Sequence, residues 1–266
     1  MKSFEYHRAT SLADAAAMLK ARTEARALAG GMTLLPTMKL GLAQPSDVVD
    51  LGSIAELRGI KHIGDRLALG AMSTHAEVAA SAEVGRTIPA LAALAAGIGD
   101  PQVRNRGTLG GSVANNDPSA DYPAAVLALD AFVQTERRAI TADQFFQGMF
   151  TTALEPGELI KAIEFRIPKR AGYAKFPNGA SRYAMVGVMV ADLGNEIRVA
   201  VTGAGPGVFR VPAFEAALKK KFAPEAIDGL RVPEDGLNSD LHASAAYRAH
   251  LVGIMARRAV DAATRR

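Results

Sequence analysis

The sequence reads as an α+β protein, and three observations carry that reading. Residues 3–51 run strand, helix, strand, glycine pair and strand, a small β-α-β unit. The middle of the chain mixes strongly apolar helical stretches with short paired strands. The C-terminal stretch opens with two strands around a Gly194–Asn195 turn and closes with two helices.

Taken in order, residues 3–8 alternate as a short strand. Ser11 opens a helix with Leu12, Ala15, Ala16 and Leu19 on one face, the i, i+3, i+4, i+7 spacing of an amphipathic helix. Residues 25–29 form a strand that runs into Gly30–Gly31 and a helical turn, and 47–51 (DVVDL) form a buried strand. Strands follow at 58–63 and 66–70, and Thr74 with Glu77 makes a capping box that starts a helix. Residues 88–97 (IPALAALAAG) have so little polar relief that the helix must be buried on most sides.

Next comes a stretch that looks like a loop, RNRGTLGGSVANNDPSADYPAA, from Arg104 to Ala125. Most connectors need about 4–6 residues, so a loop of this length between apolar flanks has a job. Pro123 suits the first turn of a short helix. Residues 131–135 and 137–140 pair as a hairpin, and Thr141 with Gln144 gives a second capping signal. In 158–167, Ile163, Phe165 and Ile167 alternate with Glu164 and Arg166 as in a half-buried strand. Pro168–Gly172 is a boundary, strands follow at 182–192 and 196–203, and helices cover 211–222 and 240–263.

With 49% hydrophobic and 22% charged residues over 266 positions, the chain has the makeup of a globular protein with a real core. No run of about 18 apolar residues offers a membrane span. The N-terminus, MKSFEYHRATSLAD, is charged where a signal peptide is apolar, so a cytoplasmic location is expected. The net charge of +4 is scattered except at Lys219–Lys221 and the pairs Arg257–Arg258 and Arg265–Arg266. Aromatic residues do not interleave with the basic ones, so no nucleic-acid partner is expected. The absence of cysteine excludes disulfides, thiolate nucleophiles and cysteine-ligated iron–sulfur clusters within this chain. The five histidines show no HExxH spacing, and no metal site is expected.

Three glycine clusters remain: AGGMT (29–33), TLGGS (108–112) and GAGPG (203–207). The third follows a strand as a dinucleotide fingerprint does, but Pro206 removes a backbone donor and the spacing is not GxGxxG. It reads as a tight turn. The first two read as a pair of N–H nests able to clamp a pyrophosphate, with glycine allowing close backbone approach. Thr33, Thr108 and Ser112 add hydroxyls, and no GxxxxGK element indicates ATP.

The pattern AGGMTLLPTMKLG…DVVDLGSI followed by GDPQVRNRGTLGGSVANNDPSADYPAAVLALDA resembles the FAD-binding medium subunit of molybdenum hydroxylases, the xanthine dehydrogenase and aerobic carbon monoxide dehydrogenase family. YAKFPNGASRYAMVGVMVA, VAVTGAGPGVFRVPAFEAAL and DLHASAAYRAHLVGIMARRAV resemble its C-terminal region, so the resemblance spans nearly the whole chain. It implies a two-part PCMH-type FAD-binding domain (1–55 and 56–168) followed by a C-terminal α+β domain (169–266).

The resemblance also implies a site. Ala29, Gly30, Gly31, Met32 and Thr33, with Thr108, Leu109, Gly110, Gly111 and Ser112, would contact the diphosphate and ribityl chain of FAD. Asp121 matches an acid that hydrogen-bonds the cofactor, Lys175 and Tyr183 match positions near the isoalloxazine ring, and Leu154 matches an apolar neighbour of the ring. Met32–Thr33 and Asn115–Asn116 depart from the usual residues of the family and bear on flavin exposure or potential.

The function implied is electron transfer. Electrons would arrive from the [2Fe–2S] clusters of a small subunit, fed by a large molybdopterin-binding subunit, and leave to an external acceptor. A dimer of such heterotrimers is the implied assembly. Alternatives are a stand-alone FAD-dependent reductase or oxidase and a non-catalytic scaffold subunit.

Overall fold

A computed structural model describes residues 1–265; Arg266, which ends the basic tail and the expected C-terminal part, lies outside the described residues. The first part holds β1 (Glu5–Arg8), α1 (Leu12–Ala21), β2 (Arg26–Leu28), α2 (Leu34–Lys39) and β3 (Asp47–Asp50). Its strands form a parallel sheet in the order β1-β3-β2. Ser11 caps α1 by accepting from the Asp14 N–H. The apolar face of α1 closes a small core of Leu12, Ala15, Val49, Leu51 and Ile54. Gly30 and Gly31 stand at the carboxyl end of β2, the end of a parallel sheet at which ligands collect.

The middle part begins with β4 (Ile60–Ile63) and β5 (Arg66–Gly70). Short helices follow: α3 (His75–Ala80), α4 (Ala82–Thr87), α5 (Pro89–Ala96), α6 (Pro101–Arg106), α7 (Leu109–Asn115) and α8 (Tyr122–Ala128). Then come β6 (Phe132–Thr135), β7 (Ala139–Thr141), α9 (Ala142–Phe145), the small hairpin β8 (Phe146–Gly148) and β9 (Thr151–Thr152), and β10 (Ile160–Arg166). The antiparallel sheet runs β4-β5-β10-β6-β7. Its core centres on Leu67, Leu91, Tyr122, Phe145 and Phe165, all buried. The Thr74–Glu77 capping box forms at α3 in both directions. At α9 the Thr141 hydroxyl instead meets the Gln144 side chain, leaving the helix without a backbone cap.

The stretch from 104 to 125 is mostly helical rather than a long loop. Three short helices, α6, α7 and α8, cover it and its edges. Asp100 caps α6 and Thr108 caps α7, so side-chain oxygens stabilise turns that glycine-rich sequence disfavours. The truly irregular segment is Asn116–Asp121, between a left-handed Asn116 at φ 44° and the start of α8.

The last part holds β11 (Arg170–Pro177), β12 (Ala184–Asp192), β13 (Ile197–Thr202), β14 (Phe209–Arg210), α10 (Pro212–Lys220) and α11 (Ala245–Thr264), with its strands in one antiparallel sheet in that order. β11 begins inside the expected boundary segment Pro168–Gly172 and was not expected from its residue types. Gly172 lies so close to α11 that a Cβ there would overlap the Ala259 carbonyl oxygen. The GAGPG cluster follows an antiparallel strand, consistent with a turn rather than a dinucleotide loop. Among the described residues no helix is long and apolar enough to cross a membrane.

Candidate cofactor site

The two glycine segments expected to act together do meet. A Cβ on Gly30 would overlap the Arg106 carbonyl and lie 2.8 Å from the Gly107 Cα, so backbone rests on backbone. A Cβ on Gly111 would lie 3.6 Å from the Ala29 side chain. Glycine is required at Gly30 by close approach, and at Gly31 by its left-handed φ of 74°.

Their hydrogen bonding differs. Among the described residues, the N–H groups of Gly30, Gly31, Met32 and Thr33 donate to no protein acceptor, and the Thr33 hydroxyl does not cap α2. Four successive free donors just ahead of a helix make a nest suited to an anion. The second segment has four of its five N–H groups already committed, all but that of Thr108. Leu109 N–H donates to Ser73 O (2.9 Å), Gly110 N–H to Ala71 O (2.8 Å), Gly111 N–H to the Thr108 hydroxyl (3.1 Å) and Ser112 N–H to Thr108 O (3.0 Å). The two segments expected to act as a pair of N–H nests are therefore unequal in free donors. The first segment offers donors; the second is a rigid wall with a Ser112 side chain at its edge.

These residues fit the FAD that the resemblance implies. Four free amides suit a diphosphate, the close packing of Gly30 on Arg106 and Gly107 holds them in place, and neither 29–33 nor 107–112 carries an acid to repel it.

Asp121 and Lys175, 54 positions apart in sequence, are joined in the fold. The Lys175 ammonium lies 2.8 Å from Asp121 Oδ1, and both side chains are buried. Lys175 Nζ also donates to Gly97 O (2.9 Å) and Arg182 O (3.0 Å). An ammonium has three protons, and all three have protein acceptors. Tyr173 OH donates to the same Asp121 Oδ1 at 2.6 Å. Burial pushes the Asp121 carboxyl above its ordinary range, opposed by Lys175 and by the Tyr173 hydrogen bond. Burial pushes the Tyr173 phenol well up, reinforced by the Asp121 charge.

Tyr183 is exposed and borders a polar cavity of 220 Å³ together with Asp117, Ser119, Asn178 and Asp240. Its phenol is raised by burial and by the charges of Asp117 and Asp121. Leu154 packs half-buried against the central core.

The C-terminal sheet braces the 117–121 segment. The single Thr202 hydroxyl proton is shared between Ala120 O (2.6 Å) and Pro118 O (3.0 Å), Gly203 N–H donates to Pro118 O (2.8 Å) and Ala184 N–H to Ser119 O (3.2 Å). The Asp117 carboxylate acts locally, accepting from the Ser119 N–H at 2.8 Å. Asn116 reaches further, donating to Gly148 O and Thr151 O, both at 2.8 Å. Tyr173 and Thr202 went unread. Reading β11 as a strand brings Tyr173 to the face of Lys175, two residues on.

Residues 2–170 match the family described as the FAD binding domain in molybdopterin dehydrogenase. The chain is 37% identical to the carbon monoxide dehydrogenase medium chain of Hydrogenophaga pseudoflava, over 98% of this chain and 96% of that one. It is 36% identical to the nicotine 6-hydroxylase medium subunit of Paenarthrobacter nicotinovorans, over 98% and 97%. Its fold matches a chain of the reconstituted CO dehydrogenase from Oligotropha carboxidovorans with a TM-score of 0.87 and 33% identity, covering 98% of both chains.

Proposed function

We infer the function from one premise: the chain belongs to the family of FAD-binding domains of molybdopterin dehydrogenases, the molybdenum hydroxylases. It is their FAD-binding, electron-transferring subunit, part of an oxidoreductase and not active on substrate alone. Like its relatives it works as a medium chain within a multi-subunit complex. FAD, when bound, would supply the redox chemistry that links the iron–sulfur side to an external acceptor.

The chain's own residues bind and orient. The free N–H groups of Gly30–Thr33 hold the diphosphate, with the Thr33 and Ser112 hydroxyls beside it. Ala29 and Thr108–Gly111 would form a wall beside it. Leu154 would give the ring an apolar neighbour, Tyr183 would flank it, and the Asp121–Lys175 pair would brace the segments at its polar edge. The observation that carries this assignment is the run of four unspent amides against the wall of α7.

The partners in this reading are a large molybdopterin-binding subunit and a small [2Fe–2S] subunit, assembled as a dimer of heterotrimers in the cytoplasm. The substrate is chosen at the partner's molybdenum; identities of 37% and 36% to carbon monoxide and nicotine enzymes do not separate the two. The parts 1–55, 56–168 and 169–266 serve as two FAD-binding subdomains and a C-terminal bracing domain.

Titration of the full chain with FAD, followed by flavin absorbance and fluorescence, tests the assignment. The wild type is expected to bind FAD. Gly30→Ala is expected to weaken binding at least about tenfold, a loss of about 1.4 kcal/mol, because its methyl group forces the two glycine segments apart. Absence of FAD uptake by the wild type, alone and with its partner subunits, overturns the reading.

A further inference from the structure

We propose that Tyr173 is a positioning residue of the flavin site, acting through Asp121 on Lys175 and, through Lys175, on the turn that presents Tyr183. The inference rests on the placement of Asp121, Lys175 and Tyr183 beside the flavin argued above.

Three features support it. First, the Tyr173 phenol and the Lys175 ammonium converge on one oxygen, Asp121 Oδ1, at 2.6 and 2.8 Å. Asp121 is thus held by two donors from the same face of β11. Second, the fold keeps a socket for the phenol. Gly187, across the β11–β12 ladder, has no positive φ to explain a glycine, yet a Cβ there would overlap the Tyr173 hydroxyl. Third, the remaining two protons of Lys175 bind Gly97 O and Arg182 O. Arg182 adopts a left-handed φ of 61°, uncommon for a non-glycine residue, immediately before Tyr183. The ammonium thus ties the end of α5, the turn at 178–183 and Asp121 together. Lys175 is a charged strut with no proton left over for the cofactor.

The titratable groups around Asp121 are Lys175 and Tyr173 on β11, Tyr122 beside it on α8, and Tyr183 with Asp117 from the flanking segments. Of the tyrosines, Tyr173 alone donates to the carboxylate. Without that bond Asp121 takes up a proton at higher pH, and Lys175 then carries an uncompensated charge at the edge of the site.

The test measures the midpoint potential of FAD bound to the full chain as a function of pH, in wild type, Tyr173→Phe and Asp121→Asn. The wild-type curve is expected to bend where Asp121 protonates. Tyr173→Phe is expected to move that bend upward by about one pH unit, the scale set by losing one hydrogen bond to a charged acceptor. Asp121→Asn is expected to abolish it. A purely structural role for Tyr173 leaves the position of the bend unmoved, and a Tyr173→Phe curve superimposed on wild type overturns the proposal. If Tyr173→Phe does not fold, Gly187→Ala decides the matter: it displaces the phenol without removing it and is expected to reproduce the shift, and an unshifted bend overturns the proposal. A wild type that binds no FAD sinks the site assignment and this inference with it, an outcome distinct from a wild type that binds FAD but shows no shift between variants.

Discussion

His75 stands in the first turn of α3, buried, with its ring centroid 5.3 Å from that of Tyr122 and its Nδ1 without a hydrogen-bond partner. Burial, helped by the nearby Arg104 charge, brings its pKa down to about 4. In the unfolded chain a histidine titrates near 6.5. Between those values the unfolded state binds more protons, so stability is lost as pH falls from about 6.5 to about 4, by up to about 3 kcal/mol. His75→Leu is expected to flatten urea-midpoint curves across that window. Glu158 acts lower: the Arg138 guanidinium holds its carboxyl at about 2, and its contribution is present above about 4.5 and lost below. The variant should keep this second fall. If its curve matches wild type from pH 6.5 to 4, the account of His75 is wrong. At this scale the sequence was informative where a motif carried the residue, as with Gly30, Gly31 and Asp121. It was silent where a pairing spans distant segments. Nothing in the local sequence puts Tyr173 against a carboxylate 52 positions away.

Short elements depend on such distant partners even more. The helices of 104–128 were legible only in part, because a glycine pair and three asparagines argue for a loop by propensity. Tertiary contacts decide otherwise: α7 starts under its Thr108 cap and ends at Asn116, whose left-handed backbone and side-chain bonds lock it to the β8–β9 hairpin. β11 was missed for the converse reason. Its sequence, RAGYAKFP, has no β-branched residue, yet it forms eight consecutive ladder pairings, with one register shift near its end. Asn116 tests the role of the cap. Asn116→Ala should cost about 2–3 kcal/mol, from a left-handed penalty of about 1 kcal/mol plus the two lost hydrogen bonds. Asn116→Gly keeps the backbone and should cost about 1 kcal/mol less. Equal losses in chemical denaturation would show that backbone handedness contributes nothing there.

The parts of the molecule are joined through a sheet used on both sides. Along β12 and β13, Val186, Val188, Val190, Val199 and Val201 face the core under α10 and α11. Met189, Ala191 and Ala200 alternate with them and face the core of the middle part, beside Leu91 and Tyr122. The alternation was invisible as amphipathicity because both faces are apolar, so the two strands read as continuous hydrophobic runs. The C-terminal sheet therefore cannot open without exposing the middle core. The N-terminal sheet, with a small core drawn largely from alanine and leucine, is tied less deeply. Met189→Ala should cost about 2–4 kcal/mol, the range for truncating a buried methionine. Hydrogen exchange in mild denaturant locates that loss. Peptides from α5 and α8 should gain exchange in step with peptides from β12, while β1–β3 peptides, expected to exchange first, keep their wild-type rates. If acceleration stays within 170–264, the two cores are independent. In that case the brace that Thr202 and Gly203 give to the 117–121 segment cannot draw its rigidity from the middle core, and the site is held by local hydrogen bonds alone.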